Sequence, residues 1–164
     1  MKKIISVLIF VLTFTLTACS SVTTENRPDD FSFSLVWNTY GISYYNSASG
    51  SLVKTTDATN PEDYITSLRL TSEQLDAIYA KIAALNMEKY PDKYDPFNNM
   101  MSEPSQTIIL TCGDKSIACE RICLGYESDN KKGQNFLDTV KFIVDILTST
   151  EEWQALPEYE FFYD

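Results

Sequence analysis

The chain has 164 residues, with 23 acidic against 13 basic side chains and a net charge of −10. That length suits one domain with a real core, and the acidity disfavours binding to phosphate backbones and to anionic lipid headgroups. Histidine is absent, which removes Ser-His-Asp and Cys-His catalysis and the common zinc sites built on imidazole.

The first eighteen residues divide into three parts. Lys2 and Lys3 give a positive start, Ile4 to Leu16 is an apolar run broken only by Ser6, Thr13 and Thr15, and Thr17-Ala18 are small. This order is that of a secretory signal, and the run is shorter than the roughly 20 residues a spanning helix needs. Leu16-Thr17-Ala18-Cys19 resembles the lipobox of bacterial lipoproteins, and the resemblance covers residues 1–19 alone. It implies a diacylglycerol thioether on Cys19, cleavage before that residue, and an exported protein anchored by lipid on the extracytoplasmic side of the cell membrane. Two acyl chains hold stably where one binds only marginally. Cleavage would also remove Lys2 and Lys3 and make the mature chain more acidic by two charges.

Residues 19–30 follow as the lipidated cysteine and a polar tether containing Pro28. Residues 31–164 are expected to form a single domain. Phe31, Phe33, Leu35 and Trp37 alternate with Ser32, Ser34 and Val36, the period of a half-buried strand. After a turn at Gly41, strands are expected at Ile42–Tyr45 and Leu52–Thr55, around the turn formers of residues 46–50. Thr56 to Asp63 reads as a loop, and the alternation of Tyr64, Thr66, Leu68 and Leu70 as a fourth strand.

Thr71 and Gln74 have capping-box spacing, Leu70 and Leu75 occupy the staple positions, and Leu75, Ile78, Tyr79, Ile82 and Leu85 share one helical face ending at Asn86. Met87 to Pro104 is irregular and proline-rich. Strands at Gln106–Cys112 and Lys115–Ile122 join at Gly113-Asp114, and Gly125 to Gly133 reads as a polar loop. Phe136, Val140, Ile143, Val144 and Leu147 mark a second amphipathic helix. Ser149 with Glu152 has the spacing of another capping box, opening a short helical turn before Pro157, and Tyr159 to Tyr163 is an aromatic end suited to a sheet edge. The expected fold is therefore α+β: an antiparallel sheet of five to six strands, order β-β-β-β-α-β-β-α, with both helices on one face.

Cys112, Cys119 and Cys123 are expected to be packed and reduced. The turn at Gly113-Asp114 sets Cys119 opposite Ile108, and in an extended strand Cys119 and Cys123 are about 13 Å apart, beyond disulfide reach. The candidate binding surface lies in residues 90–99, where Tyr90, Tyr94 and Phe97 stand beside Asp92, Asp95 and Asn98 in a loop stiffened by Pro91 and Pro96. Aromatic faces with amide and carboxylate partners suit sugars or peptides. Alternatively these rings cover the end of the first helix while the polar groups face water. The oxygen spacing fits no EF-hand loop, and no GxSxG, P-loop or GxGxxG sequence occurs. The reading is a non-catalytic, membrane-anchored module for an envelope protein, peptide or glycan, with no cofactor and no nucleic acid. A small carboxylate-dependent glycan hydrolase is the alternative.

Overall fold

The computed structural model describes residues 26–38, 43–55, 63–96, 107–119 and 127–158. The signal and lipobox with Cys19, the Gly41 turn, Phe97, Asn98, Cys123 and the aromatic end from Tyr159 lie outside them. Six strands form one antiparallel sheet: β1 (Phe33–Trp37), β2 (Ser43–Asn46), β3 (Ser51–Thr55), β4 (Asp63–Ser67), β5 (Ile108–Cys112) and β6 (Lys115–Cys119), in the spatial order β4-β3-β2-β1-β5-β6. Among the described residues three α-helices accompany it: α1 (Ser72–Leu85), α2 (Lys131–Thr148) and the short α3 (Glu151–Gln154). This is an α+β fold, with the order expected from the sequence.

Side-chain alternation gives the sheet two different faces. Leu52, Tyr45, Leu35, Leu110 and Ile117 are successive cross-strand partners and all are buried. Ile78, Ile82 and Leu85 of α1 and Phe136, Leu137, Val140, Ile143 and Leu147 of α2 join them in one core cluster. Each such side chain contributes roughly 1.5–3 kcal/mol on burial, so this layer outweighs any single polar contact in the molecule. On the opposite face runs Ile65, Val53, Tyr44, Val36, Ile109 and Ala118, beside a polar row of Ser67, Ser51, Asn46, Ser34, Thr111 and Ser116.

Local chemistry sets the boundaries. Thr71 accepts from the Gln74 N–H while Gln74 Oε1 accepts from the Thr71 N–H, and Asn86 ends α1 in the left-handed region at φ 54°. In the turn after β2, Asn46 Oδ1 accepts from the N–H groups of Ala48 and Ser49. Gly50 there has φ 75°, and a Cβ on it would come within 2.9 Å of the Leu68 carbonyl oxygen.

Several boundaries differ from expectation. Phe31 is outside β1, its N–H donating to the Pro28 carbonyl and its ring packing edge-on against Tyr79. β4 stops at Ser67, and the Leu68 N–H donates to Gly50, the turn glycine. Gly133, read as loop, lies inside α2, because Asn130 serves as N-cap and its Oδ1 accepts from the Gly133 N–H at 2.7 Å. Ser149 does not cap α3. It ends α2 with helical φ −83° and ψ −7°, whereas an N-cap needs the extended backbone that Thr150 has at φ −75° and ψ 151°. Thr150 caps α3 instead, and Trp153 stands where a reciprocating Glu would be needed.

Cys119 pairs with Ile108 and is fully buried, while Cys112 pairs with Lys115 at the turn. Counted along β5, those ends of the hairpin are about 13 Å apart, too far for a bridge between the two. Cys112 carries no disulfide, and burial pushes its thiol pKa up.

Candidate functional site

The end of α1, the chain to Pro96 and the start of α2 meet at one corner. After Asn86 the chain makes a 3-10 turn, Met87–Lys89, that turns Tyr90 inward. Tyr90 is only 5% exposed, and its hydroxyl donates to the Lys132 carbonyl at 2.9 Å. Its ring meets Tyr94 edge-on at 5.0 Å between centroids and Phe136 at 6.0 Å. Lys132 closes the cluster, its Nζ 4.6 Å from the Tyr90 centroid and donating to the Lys89 carbonyl at 2.6 Å. Burial raises the phenol pKa of Tyr90, helped by Tyr94, and raises that of Tyr94, helped by Cys119 and Asp95.

Residues 92–94 extend the sheet past β6. The Ala118 N–H donates to the Asp92 carbonyl, and the Tyr94 N–H donates to the Ala118 carbonyl, a parallel bridge at Lys93. The Asp92 carboxylate faces solvent, 2.6 Å from Lys115 Nζ, and Asp95 is exposed. Pro96 is fixed by its carbonyl, which accepts from Ser128 Oγ and from Asn130 Nδ2. Of the residues singled out in this segment, Tyr90 and Tyr94 therefore point to the core and Asp92 and Asp95 to water. These four do not converge on one surface, and Phe97 and Asn98 lie outside the described residues.

A concavity stands next to this cluster. It measures about 450 Å3 and is lined by Ala84, Leu85 and Asn86 from α1, by Lys89 and Tyr90, and by Lys131, Lys132 and Asn135 from α2. A second hollow of about 220 Å3 continues along the helix pair, sharing Ala84, Leu85 and Asn135 and adding Lys81, Asp138 and Thr139. The first volume falls within the range of small-ligand clefts and the second below it.

Charge is what distinguishes the groove. Arg27, Lys115 and Lys141 are held by Asp76, Asp92 and Asp145. Lys81, Lys89, Lys131 and Lys132 line the groove, and none of the four is ion-paired among the described residues. Part of this positive charge answers the carbonyl end of α1, whose last turn has no basic residue of its own. Lys132 is committed to the Lys89 carbonyl, at the end of the 3-10 turn that follows α1. Lys89 and Lys131 have no such bond among the described residues.

The chain matches no protein-family model and no curated protein at a significant level.

The groove escaped the sequence reading because its two basic walls are 42 residues apart. Lys131-Lys132 is nevertheless, with Lys2-Lys3, one of two adjacent basic pairs in an acidic chain, and that was a usable signal. Among the described residues no group of three His, Cys, Asp or Glu side chains is placed to hold a metal, and no helix is long and apolar enough to cross a membrane.

Proposed function

We propose that this is an exported lipoprotein, anchored through diacylglycerol on Cys19, whose folded domain is a non-catalytic binding module for an envelope protein, peptide or glycan. The anchor rests on the signal and lipobox of residues 1–19. The binding role is supported above all by the groove between α1 and α2, a concavity whose lining includes three lysines and two asparagines. Lysines rather than facing carboxylates line it, which favours binding there over carboxylate-driven glycan hydrolysis.

Two measurements test the two halves of the proposal. Cys19→Ser is expected to abolish the lipid mass and leave either unprocessed precursor or released protein. Unchanged membrane retention and mass would overturn the anchor. A photo-crosslinker placed at Asn135 in the anchored protein is expected to capture an envelope component that one placed at the exposed Glu152, on α3, does not. Identical capture from both positions would remove the groove as the binding site.

A further inference from the structure

We infer that the groove between the end of α1 and the start of α2 takes a small organic anion, bound through a carboxylate or phosphate group by Lys89 and Lys131. This rests on the binding-module reading and narrows its ligand to anionic ones. The chain carries 23 acidic against 13 basic side chains, so lysines gathered at one concavity run against its overall charge. Here four lysines without an ion pair among the described residues line two adjoining hollows, against one acid, Asp138.

The geometry assigns different tasks to them. Lys132 is occupied, bonded to the Lys89 carbonyl and lying over Tyr90, so it fixes the wall and adds a background charge. Lys81 lies 5.2 Å from the Phe142 centroid at the far hollow. Lys89 and Lys131 remain to meet a ligand, with the amides of Asn86 and Asn135 beside them as neutral donors and acceptors. Lysine binds oxyanions as a mobile point charge rather than a planar fork, which suits both carboxylate and phosphate. Two features limit the ligand's size and kind. The net negative charge opposes an extended polyanion or an anionic membrane, although screening over about 8 Å leaves a local basic site able to act on a small one. The Tyr90 ring is buried and already faced by Lys132, so no aromatic platform is left for stacking a neutral sugar.

The test uses the full anchored chain in neutral detergent, titrated with glycerol phosphate in one arm and citrate in the other, and followed by backbone amide shifts. Saturable shifts confined to residues 84–90 and 131–135 are expected in at least one arm, and the arm that responds identifies the oxyanion. The doubly substituted Lys89→Gln, Lys131→Gln protein should keep its unfolding midpoint and bind about tenfold or more weakly, since each exposed ion pair is worth a few-fold in affinity. No saturable shift in either arm overturns the inference, as does binding that the double substitution leaves unchanged. If the anions fail while crosslinking from Asn135 still captures an envelope component, only the anionic ligand falls and the binding module stands. If both fail, the groove is lost as a site altogether.

Discussion

Ser43 pairs with Trp37 across β1 and β2, is fully buried, and has no hydrogen-bond partner for its Oγ among the described residues. A hydroxyl in that position loses its water without gaining a partner, at a cost of about 1–3 kcal/mol. Lys54 on β3 is a different case: only 5% exposed, it lies 4.9 Å from the Trp153 centroid, and Trp153 packs on Trp37. Burial lowers its pKa, opposed by the charge of Glu158. Its ammonium is thus compensated where the serine hydroxyl is not. Ser43→Ala removes the unsatisfied group and leaves almost the same volume. It is expected to raise stability by about 1 kcal/mol in urea unfolding, with an unchanged slope. A lowered midpoint would instead mean that the hydroxyl is bonded in the folded protein.

At the scale of elements, the start of α2 holds the candidate site together. A Cβ on Gly133 would overlap Ser128 Oγ and lie 2.7 Å from the Pro96 carbonyl oxygen, the two groups that bind each other there. Alanine is the better helix former by about 1 kcal/mol, so propensity alone favours Gly133→Ala. The Ser128 hydroxyl could rotate aside, but the Pro96 carbonyl is backbone and cannot, so the clash should win. The expected result is a net loss of about 1–3 kcal/mol, read as a lower thermal midpoint. Hydrogen exchange at the Tyr94 amide should also quicken, because that N–H bonds to Ala118 in the segment Pro96 anchors. A stabilised variant would show that this contact yields easily. Gly133 also shows where sequence reading stops. Strand β1 was legible because alternate residues face opposite ways, β2 and β3 because turn formers lie between them, and α1 because Thr71, Gln74 and Asn86 each do local chemistry that their own neighbours decide. The Ser149 and Glu152 spacing misled because α2 continues through Thr148, a tertiary outcome that no four-residue pattern contains. The groove was hidden for the same reason: Lys89 and Lys131 become neighbours only once α1 and α2 pack on one sheet face.

Across the whole molecule, titratable groups buried with the core tie stability to alkaline pH. Desolvation raises Tyr45, Tyr90 and Tyr94 above the ordinary phenol value of 10.0, and raises Cys112 above the ordinary thiol value of 9.0. Tyr90 and Tyr94 touch and titrate as a pair, whereas Tyr45 on β2 and Cys112 at the end of β5 are separate sites whose effects should add to that of the pair. For each, the unfolded chain ionises first. Over the interval between the unfolded and folded pKa values the folded state holds more protons, and stability falls as pH rises. Lys54 acts in the opposite sense, since its folded pKa lies below the ordinary 10.5 and the unfolded chain binds the proton longer. Four groups oppose one, so the net slope should be negative. The thermal midpoint is expected to fall most steeply above pH 10.0, when the three tyrosines join Cys112. Tyr90→Phe should flatten the steeper part, while costing stability at neutral pH because the bond to the Lys132 carbonyl is lost. Phenolate absorbance followed beside circular dichroism checks the assignment. Part of the tyrosine signal should appear only together with unfolding. Complete ionisation of all tyrosines in a still-folded protein would show that burial does not hold these phenols neutral.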